Sequence, residues 1–337
     1  MKIKVCNSFD DIEQSEWDAL LQKSSINVPF LRYGFLKLWW QTLGGGEWQV
    51  GEPYIMLGYQ QENLVAIAPL FLSHRDGKNI LTFLGAKEIS DYLDLIVPSD
   101  YFHDFISAVL HHLLQDIPEK WDRVEFSNVH QSSPLLQFFQ NEAMVDGIAC
   151  HVEKDSPAPC LTLPVSWDAY LESLDKKQRH EIRRKLRRVE QEAQQHRFFF
   201  VDDQNDLEKM ALAFLDLMRK DPAKNAFLTT SMAAHMQRLL SWSYAEGILK
   251  LCFLEINGVL ASGFFCFDDQ NTIYIYNSGF DSRLQYFSPG WVLLSHLIRW
   301  SIENSRAALD FMRGNEAYKY KFGALDALVY SITLTKR

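Results

Sequence analysis

The order of apolar and polar positions predicts a repeated set of elements in this chain of 337 residues. In the second half, runs of apolar residues bounded by turn residues predict three strands, a helix and a short strand. Their ranges are 249–256, 259–267, 272–276, 290–304 and 307–312. Asn257-Gly258 joins the first two strands as a hairpin, because both positions tolerate positive φ.

The first half predicts the same order of elements. Three strands, a helix and a strand are expected over 54–59, 64–72, 80–84, 101–115 and 123–126. A polar turn, Ser90-Asp91-Tyr92-Leu93-Asp94, lies between the third strand and the helix. The repeated order indicates an internal duplication. Strands joined both by hairpins and by helices predict an α/β fold with two mixed sheets flanked by helices.

A domain boundary is expected in the segment from Asp155 to Pro159, which contains two prolines and lacks apolar periodicity. The predicted domains are therefore residues 1–155 and 156–337. A chain of this length with 47% apolar residues can form two cores.

A basic helix is predicted over 175–195, within the second domain. Eight of the 13 residues from Lys176 to Arg188 are Lys or Arg and one is Glu, whereas the chain as a whole has a net charge of −9. Arg179 and Arg183 lie four residues apart and share one side of the helix, which favours binding of a phosphate or nucleotide-linked substrate. The alternative is an ordinary solvated face.

Composition narrows the function classes. The acidic balance argues against DNA as a partner. No signal-peptide core or membrane-length apolar run is visible, so we expect a cytoplasmic protein without membrane insertion. Five scattered cysteines without a C-x-x-C pair suggest neither a disulfide framework nor a zinc site, and no metal is expected.

The stretch from Tyr274 to Gly323 concentrates the candidate chemistry. Ser288-Pro289-Gly290 opens the predicted helix: Ser can cap free backbone N–H groups, Pro suits the first helical position, and Gly leaves room for a ligand. Such a helix start attracts anions. Polar and charged residues then crowd the segment after the short strand, namely Arg313, Glu316, Tyr318, Lys319 and Lys321.

Three segments resemble the CelD-like acyltransferases, also called BioF2-like GNAT domains: Asp281 to Gly290, Leu309 to Lys319 and Ser166 to Arg184. That family is similar in build to the Fem-type peptidyltransferases, which carry two GNAT-like halves. The chain departs from single-domain GNAT enzymes in one respect. Their Q/R-x-x-G-x-G/A phosphate loop is replaced by the segment from Arg283 to Gly290.

The resemblance implies an acyl-CoA-dependent N-acyltransferase. Acyl-CoA is expected to contact Tyr276, Arg283, Ser288 and Gly290. Glu316 is the candidate base and Tyr318 the candidate acid, while Asp310 is a third candidate that sits in a strand and can instead brace Arg313. The candidate substrate-binding residues are Asp91, Tyr92, Asp94, Arg179, Arg183, Arg313, Lys319 and Lys321.

The acceptor is expected to be an amine of a small or nucleotide- or sugar-linked molecule, with envelope or exopolysaccharide biosynthesis as the setting considered. Two alternatives stay open. A Fem-type transferase would use aminoacyl-tRNA and would explain the basic helix. A non-catalytic scaffold of a polysaccharide assembly system would keep the fold, with a collapsed slot between the strands that end at Phe267 and Tyr276.

Overall fold

The computed structural model describes residues 1–85, 87–141 and 147–337, and the chain divides into two compact units. The first unit comprises Met1–Pro157 and Ala327–Arg337, and the second comprises Ala158–Asp326. The change of unit after Pro157 lies two residues from the predicted boundary. Residues 327–337 differ from the prediction: they belong to the first unit, because the last strand pairs there with a strand of the first half.

The first unit contains a sheet of six strands flanked by helices. The strands are β1 (Lys2–Cys6), β2 (Glu52–Gln60), β3 (Asn63–Arg75), β4 (Lys78–Phe83), β5 (Arg123–His130) and β12 (Leu325–Lys336), hydrogen-bonded in that order. The helices are α1 (Gln14–Leu21), α2 (Tyr33–Gly46), α3 (Phe102–His111) and α4 (Pro134–Asn141). Large aromatic side chains such as Trp39, Phe71 and Phe126 fill its core.

The second unit repeats the design. Its sheet runs in the order β6 (Ile148–Thr162), β11 (Ala308–Asp310), β10 (Thr272–Phe280), β9 (Val259–Asp269), β8 (Leu249–Ile256) and β7 (His196–Phe200). The helices are α5 (Trp167–Ser173), α6 (Lys176–Glu192), α7 (Gln204–Met218), α8 (Pro222–Phe227), α9 (Thr230–Ala245), α10 (Pro289–Glu303) and α11 (Ala317–Lys321). The predicted α/β class with mixed sheets flanked by helices is confirmed.

Each unit contains one parallel pair of strands joined through a helix. In the first unit β4 pairs in parallel with β5, and in the second β10 pairs in parallel with β11. Among the described residues, the other pairs of neighbouring strands within each unit are antiparallel. The same three strands, helix and strand therefore recur with the same pairing, as the order of elements in the sequence indicated.

The segment from Asp155 to Pro159, where the domain boundary is expected, is a strand and not a loop. These residues lie inside β6, which runs from Ile148 to Thr162 and so contributes to both units. Pro157 and Pro159 lack a backbone N–H but readily adopt the extended φ of a strand. Apolar and polar residues do not alternate in this segment because the strand is buried unevenly along its length, and not because the segment is a loop.

The polar turn before α3 is buried in the first unit. Asp91, Tyr92 and Asp94 are 8%, 4% and 2% exposed, and Tyr92 adopts a left-handed backbone with φ of 58°. The ring of Tyr92 meets His130 edge-on. Burial raises the pKa of Asp94 to about 7, although hydrogen bonds from the Ser133 side chain and the Leu95 N–H act in the opposite direction. The proposed substrate-binding role of the three residues stays a prediction.

Replacement of Asp94 by Asn should make the first unit less sensitive to pH. The folded-state pKa of about 7 exceeds the ordinary value of 3.8, so the contribution of Asp94 to stability is fully present below pH 4 and is lost as the pH rises through 7. Asp94→Asn should therefore stabilise the protein at pH 8, by roughly 4 kcal/mol at most. Thermal unfolding between pH 5 and 8 measures this, with Asp100→Asn as an exposed control. Equal pH slopes for Asp94→Asn and wild type would contradict the assignment.

Candidate active site

The second unit opens where two neighbouring strands part. β10 pairs with β11 only from Thr272 to Tyr274, whereas its pairing with β9 continues to Phe280. A break in register between Ile275 and Asn277 accompanies the change. Irregular pairing of this kind bends a strand and often lies beside a functional site. The far end of β10 is thus separated from the segment that follows β11.

A pocket of about 490 Å³ lies at this opening, beside the first turn of α10. It is lined by side chains and backbone of β9, β10, α6, α10 and the C-terminal segment: Lys185, Phe264, Ser278, Gly279, Phe280, Gln285, Ser288, Pro289, Gly290, Trp291, Leu294, Tyr318 and Phe322. All of these residues belong to the second unit. Its size is that of a site for a small organic ligand.

Ser288 occupies the predicted capping position but does not cap the helix with its side chain. Its backbone is left-handed, with φ of 52°, and its hydroxyl makes no hydrogen bond to the first turn of α10. The hydroxyl instead accepts a hydrogen bond of 3.0 Å from the Lys185 ammonium. The capping role is therefore wrong, because an N-cap side chain reaches the helix only from an extended backbone.

Gly290 lines the pocket in the first turn of α10. Pro289 has no N–H, and the amides of Trp291 and Val292 both donate to the Ser288 carbonyl. Within the described residues, the amide of Gly290 has no acceptor. A Cβ built on Gly290 would meet nothing within 4 Å. The start of α10 therefore offers one free donor, the positive end of a helix dipole and open space, which together suit an anionic group.

Lys185 is a pocket residue that the sequence prediction missed. Its side chain is 14% exposed, and the ammonium lies 4.5 Å from the centre of the Trp291 ring and 3.4 Å from a Glu181 oxygen. Lys185 lies three residues after Ile182 and four before Val189, the two residues of α6 that are buried. This spacing places it on the docking face of the helix, where a cation needs a partner. The spacing of Lys185 from Ile182 and Val189 is visible in the sequence and could have identified Lys185.

Tyr318 lies in the pocket wall, and its ring meets that of Phe311 edge-on at 6.1 Å. Burial, with a smaller contribution from Glu316, raises the pKa of its phenol well above the ordinary value of 10. The hydroxyl is therefore protonated throughout the physiological range. A phenol held neutral in a cleft can donate a proton or a hydrogen bond to a reacting group.

Lys319 is a structural residue of the loop after β11. It is 2% exposed, and its ammonium donates to the carbonyl oxygens of Met312, Arg313 and Gly314 at 3.1, 2.9 and 3.1 Å. The ammonium also lies 2.9 Å from a Glu316 carboxylate oxygen. Burial lowers the pKa of Lys319, and Glu316 partly offsets that effect. The predicted binding of a substrate anion does not fit these contacts, because the donors of the ammonium are already engaged by the loop.

The two acidic candidates of this segment differ in exposure. The Glu316 side chain is 58% exposed, forms the ion pair with Lys319 and is not among the pocket-lining residues. Its charge nevertheless contributes to the raised pKa of the Tyr318 phenol. Asp310 is 8% exposed, and its carboxylate accepts a hydrogen bond of 2.7 Å from the Met312 N–H. Asp310 thus helps to hold Met312 in a left-handed backbone with φ of 60°.

Lys224 of α8 is a second residue that the sequence prediction missed. Its ammonium donates to the backbone carbonyl and the hydroxyl of Ser278 and to the Asn277 side chain. Burial lowers the pKa of Lys224, while Asp221 and Glu316 raise it. Lys224 therefore fixes the part of β10 that forms the pocket wall. No pattern in the sequence pointed to it, since the contact depends on where α8 packs.

Two predicted acyl-CoA contacts lie elsewhere. Arg283 is paired through two nitrogens with the buried carboxylate of Asp281, which also binds Lys220. Both cations hold the pKa of Asp281 below its ordinary range, with the Arg283 contact contributing most. The ring of Tyr276 packs on Phe265 and Phe267. Neither Arg283 nor Tyr276 is among the residues that line the pocket.

The scaffold alternative expected a collapsed slot between the strands ending at Phe267 and Tyr276. Those strands, β9 and β10, are hydrogen-bonded neighbours, with Phe267 opposite Tyr274 and a break in register between Ile275 and Asn277. The opening lies on the other edge of β10, toward β11. The scaffold alternative therefore stays a prediction.

The remaining predicted cations surround the site without lining the pocket. Arg179 is half-buried and Arg183 exposed on α6, and neither contributes to the pocket wall. Arg313 is half-buried, and its carbonyl binds Lys319. Lys321 is exposed, with its ammonium 6.0 Å from the centre of the Trp291 ring. The structure brings together Lys185, Gly290, Ser288 and Tyr318, and it leaves the basic face of α6 outside the pocket.

Comparison with known proteins places the second unit in a class. Residues 176–320 match the family model described as an acetyltransferase (GNAT) domain. The segment includes α6, the parting strands, the start of α10 and the loop with Tyr318. This segment of the chain is therefore similar to a GNAT-type acetyltransferase domain. Among curated proteins, none matches the sequence significantly.

Solved structures resemble the whole chain at low sequence identity. FemX shares 10% identity at a TM-score of 0.68, covering 98% of this chain and 97% of its own. L-PGS from Bacillus licheniformis shares 11% identity at a TM-score of 0.56, covering 95% and 91%. A tandem GNAT protein from the clavulanic acid biosynthesis pathway shares 11% identity at 0.50, covering 98% and 97%. These likenesses show the fold alone and establish a tandem GNAT-like build.

The described residues contain neither a membrane-spanning helix nor a metal-binding cluster. No helix among residues 1–85, 87–141 and 147–337 is both long and apolar enough to cross a membrane. In the same residues, no group of three or more His, Cys, Asp or Glu side chains is arranged to hold a metal ion.

Removal of the Lys319 ammonium should loosen the loop after β11. In Lys319→Met, three backbone carbonyls lose a charged donor, which should lower the free energy of unfolding by about 2–4 kcal/mol. Lys321→Met on the same helix removes an exposed ammonium and should change stability by less than about 0.5 kcal/mol. Urea unfolding of both variants provides the measurement. Equal stabilities would show that the buried ammonium does not hold the loop.

Proposed function

We propose that the protein is an acyl-CoA-dependent N-acyltransferase whose reaction takes place in the second unit. The observation that carries the proposal is the pocket at the parting of β10 and β11, with the Gly290 amide and the Lys185 ammonium at its mouth. A pyrophosphate group fits this donor set, since both groups favour negative charge. A thioester arm extending from it would enter the pocket toward Tyr318.

In the proposed reaction, an amine attacks the thioester carbonyl and the C–S bond breaks. One proton leaves the amine, and one joins the departing sulfur. Tyr318 is proposed as the donor toward sulfur, because its phenol stays protonated and lies in the pocket wall. Glu316 is proposed as the base for the amine, because its carboxylate is open to solvent and its charge acts on the Tyr318 phenol.

Lys224 and Ser278 have a positioning role in this proposal. They hold the free edge of β10, where backbone N–H groups that are no longer paired with β11 can stabilise the developing oxyanion. The acceptor is proposed to be an amine of a small or nucleotide- or sugar-linked molecule. An envelope or exopolysaccharide pathway is the proposed setting.

An aminoacyl-tRNA donor is the second candidate. One observation favours it: the exposed cations of α6, among them Arg183 and Arg187, lie outside the pocket and remain available to a polyanion. FemX and L-PGS are similar in fold, but at 10–11% identity that likeness carries no donor across. Arg183→Glu should weaken tRNA binding in this case and leave CoA affinity unchanged.

Filling the space at Gly290 should weaken CoA binding. Gly290→Trp places a ring where a pyrophosphate would lie and should raise the Kd for CoA at least tenfold. Gly290→Ala is the matched control, because its Cβ meets nothing within 4 Å and should leave the Kd within about twofold. Calorimetry with CoA and, in parallel, with charged tRNA gives the measurement. Unchanged CoA affinity in Gly290→Trp, or binding of tRNA alone, would refute the acyl-CoA assignment.

Changes to the two proposed proton carriers should act on kcat. Tyr318→Phe and Glu316→Gln should each lower kcat by about 100- to 10,000-fold at neutral pH, and the double variant should lose less than the product of the two. The loss in Glu316→Gln should shrink at high pH, where the amine deprotonates in solution. Steady-state kinetics and thermal unfolding are measured together. If Glu316→Gln lowers Tm and CoA affinity while kcat is retained, Glu316 braces Lys319 and is not the base.

A further inference from the structure

The floor of the pocket in the second unit is part of the hydrophobic core. Phe264, Leu294 and Phe322 line the pocket and are only 5%, 1% and 0% exposed. All three belong to the cluster of buried apolar residues beneath the sheet of this unit. The ring of Trp291 packs against Phe322 at 4.8 Å and continues the apolar wall toward the mouth. A ligand that reaches the floor therefore leaves water for an apolar environment.

The pocket has little charge along its walls. Lys185 is the single charged residue among those that line it within the described part of the chain. Its ammonium is already in contact with Ser288, Glu181 and the Trp291 ring. The lining contains no carboxylate. An ammonium on the acyl group would have no partner at the floor. A terminal carboxylate would lie against Phe264, Leu294 and Phe322. In both cases an unpaired charge would lose its hydration, which costs free energy.

The volume of the pocket exceeds what an acetyl group requires. About 490 Å³ is within the range of sites that enclose a drug-sized organic molecule, and it holds the end of the thioester arm together with the acyl group. Phe280 extends the apolar lining to the surface, where it is 48% exposed. An exposed aromatic side chain beside a pocket that leads into the core is a typical entrance for an apolar group.

We propose that the acyl group carried into this pocket is an uncharged, chain-like apolar group longer than acetyl. The inference rests on the proposed function and specifies its donor: a medium-chain fatty acyl thioester of CoA, and not an aminoacyl or dicarboxylic acyl thioester. The chain lies along Trp291 and Phe280 and reaches Phe264, Leu294 and Phe322. The nucleotide end stays with Gly290 and Lys185.

Calorimetry on the full chain with CoA, acetyl-CoA, hexanoyl-CoA, octanoyl-CoA and succinyl-CoA tests the proposal. Each methylene added between acetyl and octanoyl should lower the Kd by up to about fourfold, as burial of a methylene does. Succinyl-CoA should bind no better than acetyl-CoA. Equal affinities for CoA and all its thioesters would overturn the inference and leave the CoA site standing. Binding of none of the five would remove the proposed function itself.

Two variants link the effect to the pocket. Phe280→Ala removes an exposed wall and should weaken octanoyl-CoA about tenfold while leaving the Kd of free CoA unchanged. Leu294→Phe adds bulk at the floor and should shift the preferred chain to a shorter one. Val259→Ala, an exposed apolar residue of β9 outside the pocket, is the control and should change neither value. An unaltered chain-length preference in Phe280→Ala would overturn the inference, even if Leu294→Phe fails to fold.

Discussion

The Lys319 ammonium binds three successive backbone carbonyls, those of Met312, Arg313 and Gly314, and one carboxylate oxygen of Glu316. A buried cation is costly unless it is surrounded by acceptors, and here the loop after β11 supplies them. The loop that these contacts hold follows β11 directly, beyond the point where β11 ceases to pair with β10 at Tyr274. Because Tyr318 immediately precedes Lys319, the position of the phenol in the pocket depends on this buried ion. The site is therefore maintained by a structural charge that need not touch substrate.

The second support of the site is the contact between α6 and the start of α10. Lys185 reaches from one helix to the Ser288 hydroxyl and the Trp291 ring at the beginning of the other. On the opposite side, Lys224 holds Ser278 at the free edge of β10. Two lysines thus fix two walls of the pocket through short contacts with polar partners. Such preorganisation reduces the entropy that a ligand has to lose on binding.

Much of the fold was accessible from the sequence, since periodicity and turn residues report local structure directly. The hairpin at Asn257-Gly258 and the bounds of β8 follow from that rule. The failures share one physical cause, which is that tertiary contacts override local preference. Pro157 and Pro159 lie in a strand. Ser288 adopts a left-handed backbone, and its hydroxyl accepts a hydrogen bond from the Lys185 ammonium. The charged residues next to Lys319 along the chain did not indicate that its side chain is buried. Arg179 and Arg183, the cations of α6 that were predicted to bind a ligand, do not line the pocket.

The return of β12 to the first unit has a consequence for how the chain is made. Residues 158–326 are continuous in sequence, whereas the first unit needs both Met1–Pro157 and Ala327–Arg337. On the ribosome, the second unit can complete its core as soon as its last residues emerge, but the first must wait with β5 lacking its antiparallel neighbour. During that interval an unpaired strand edge is open to other chains. The first unit is therefore completed after the second. During synthesis, aggregation is a greater risk for the first unit than for the second.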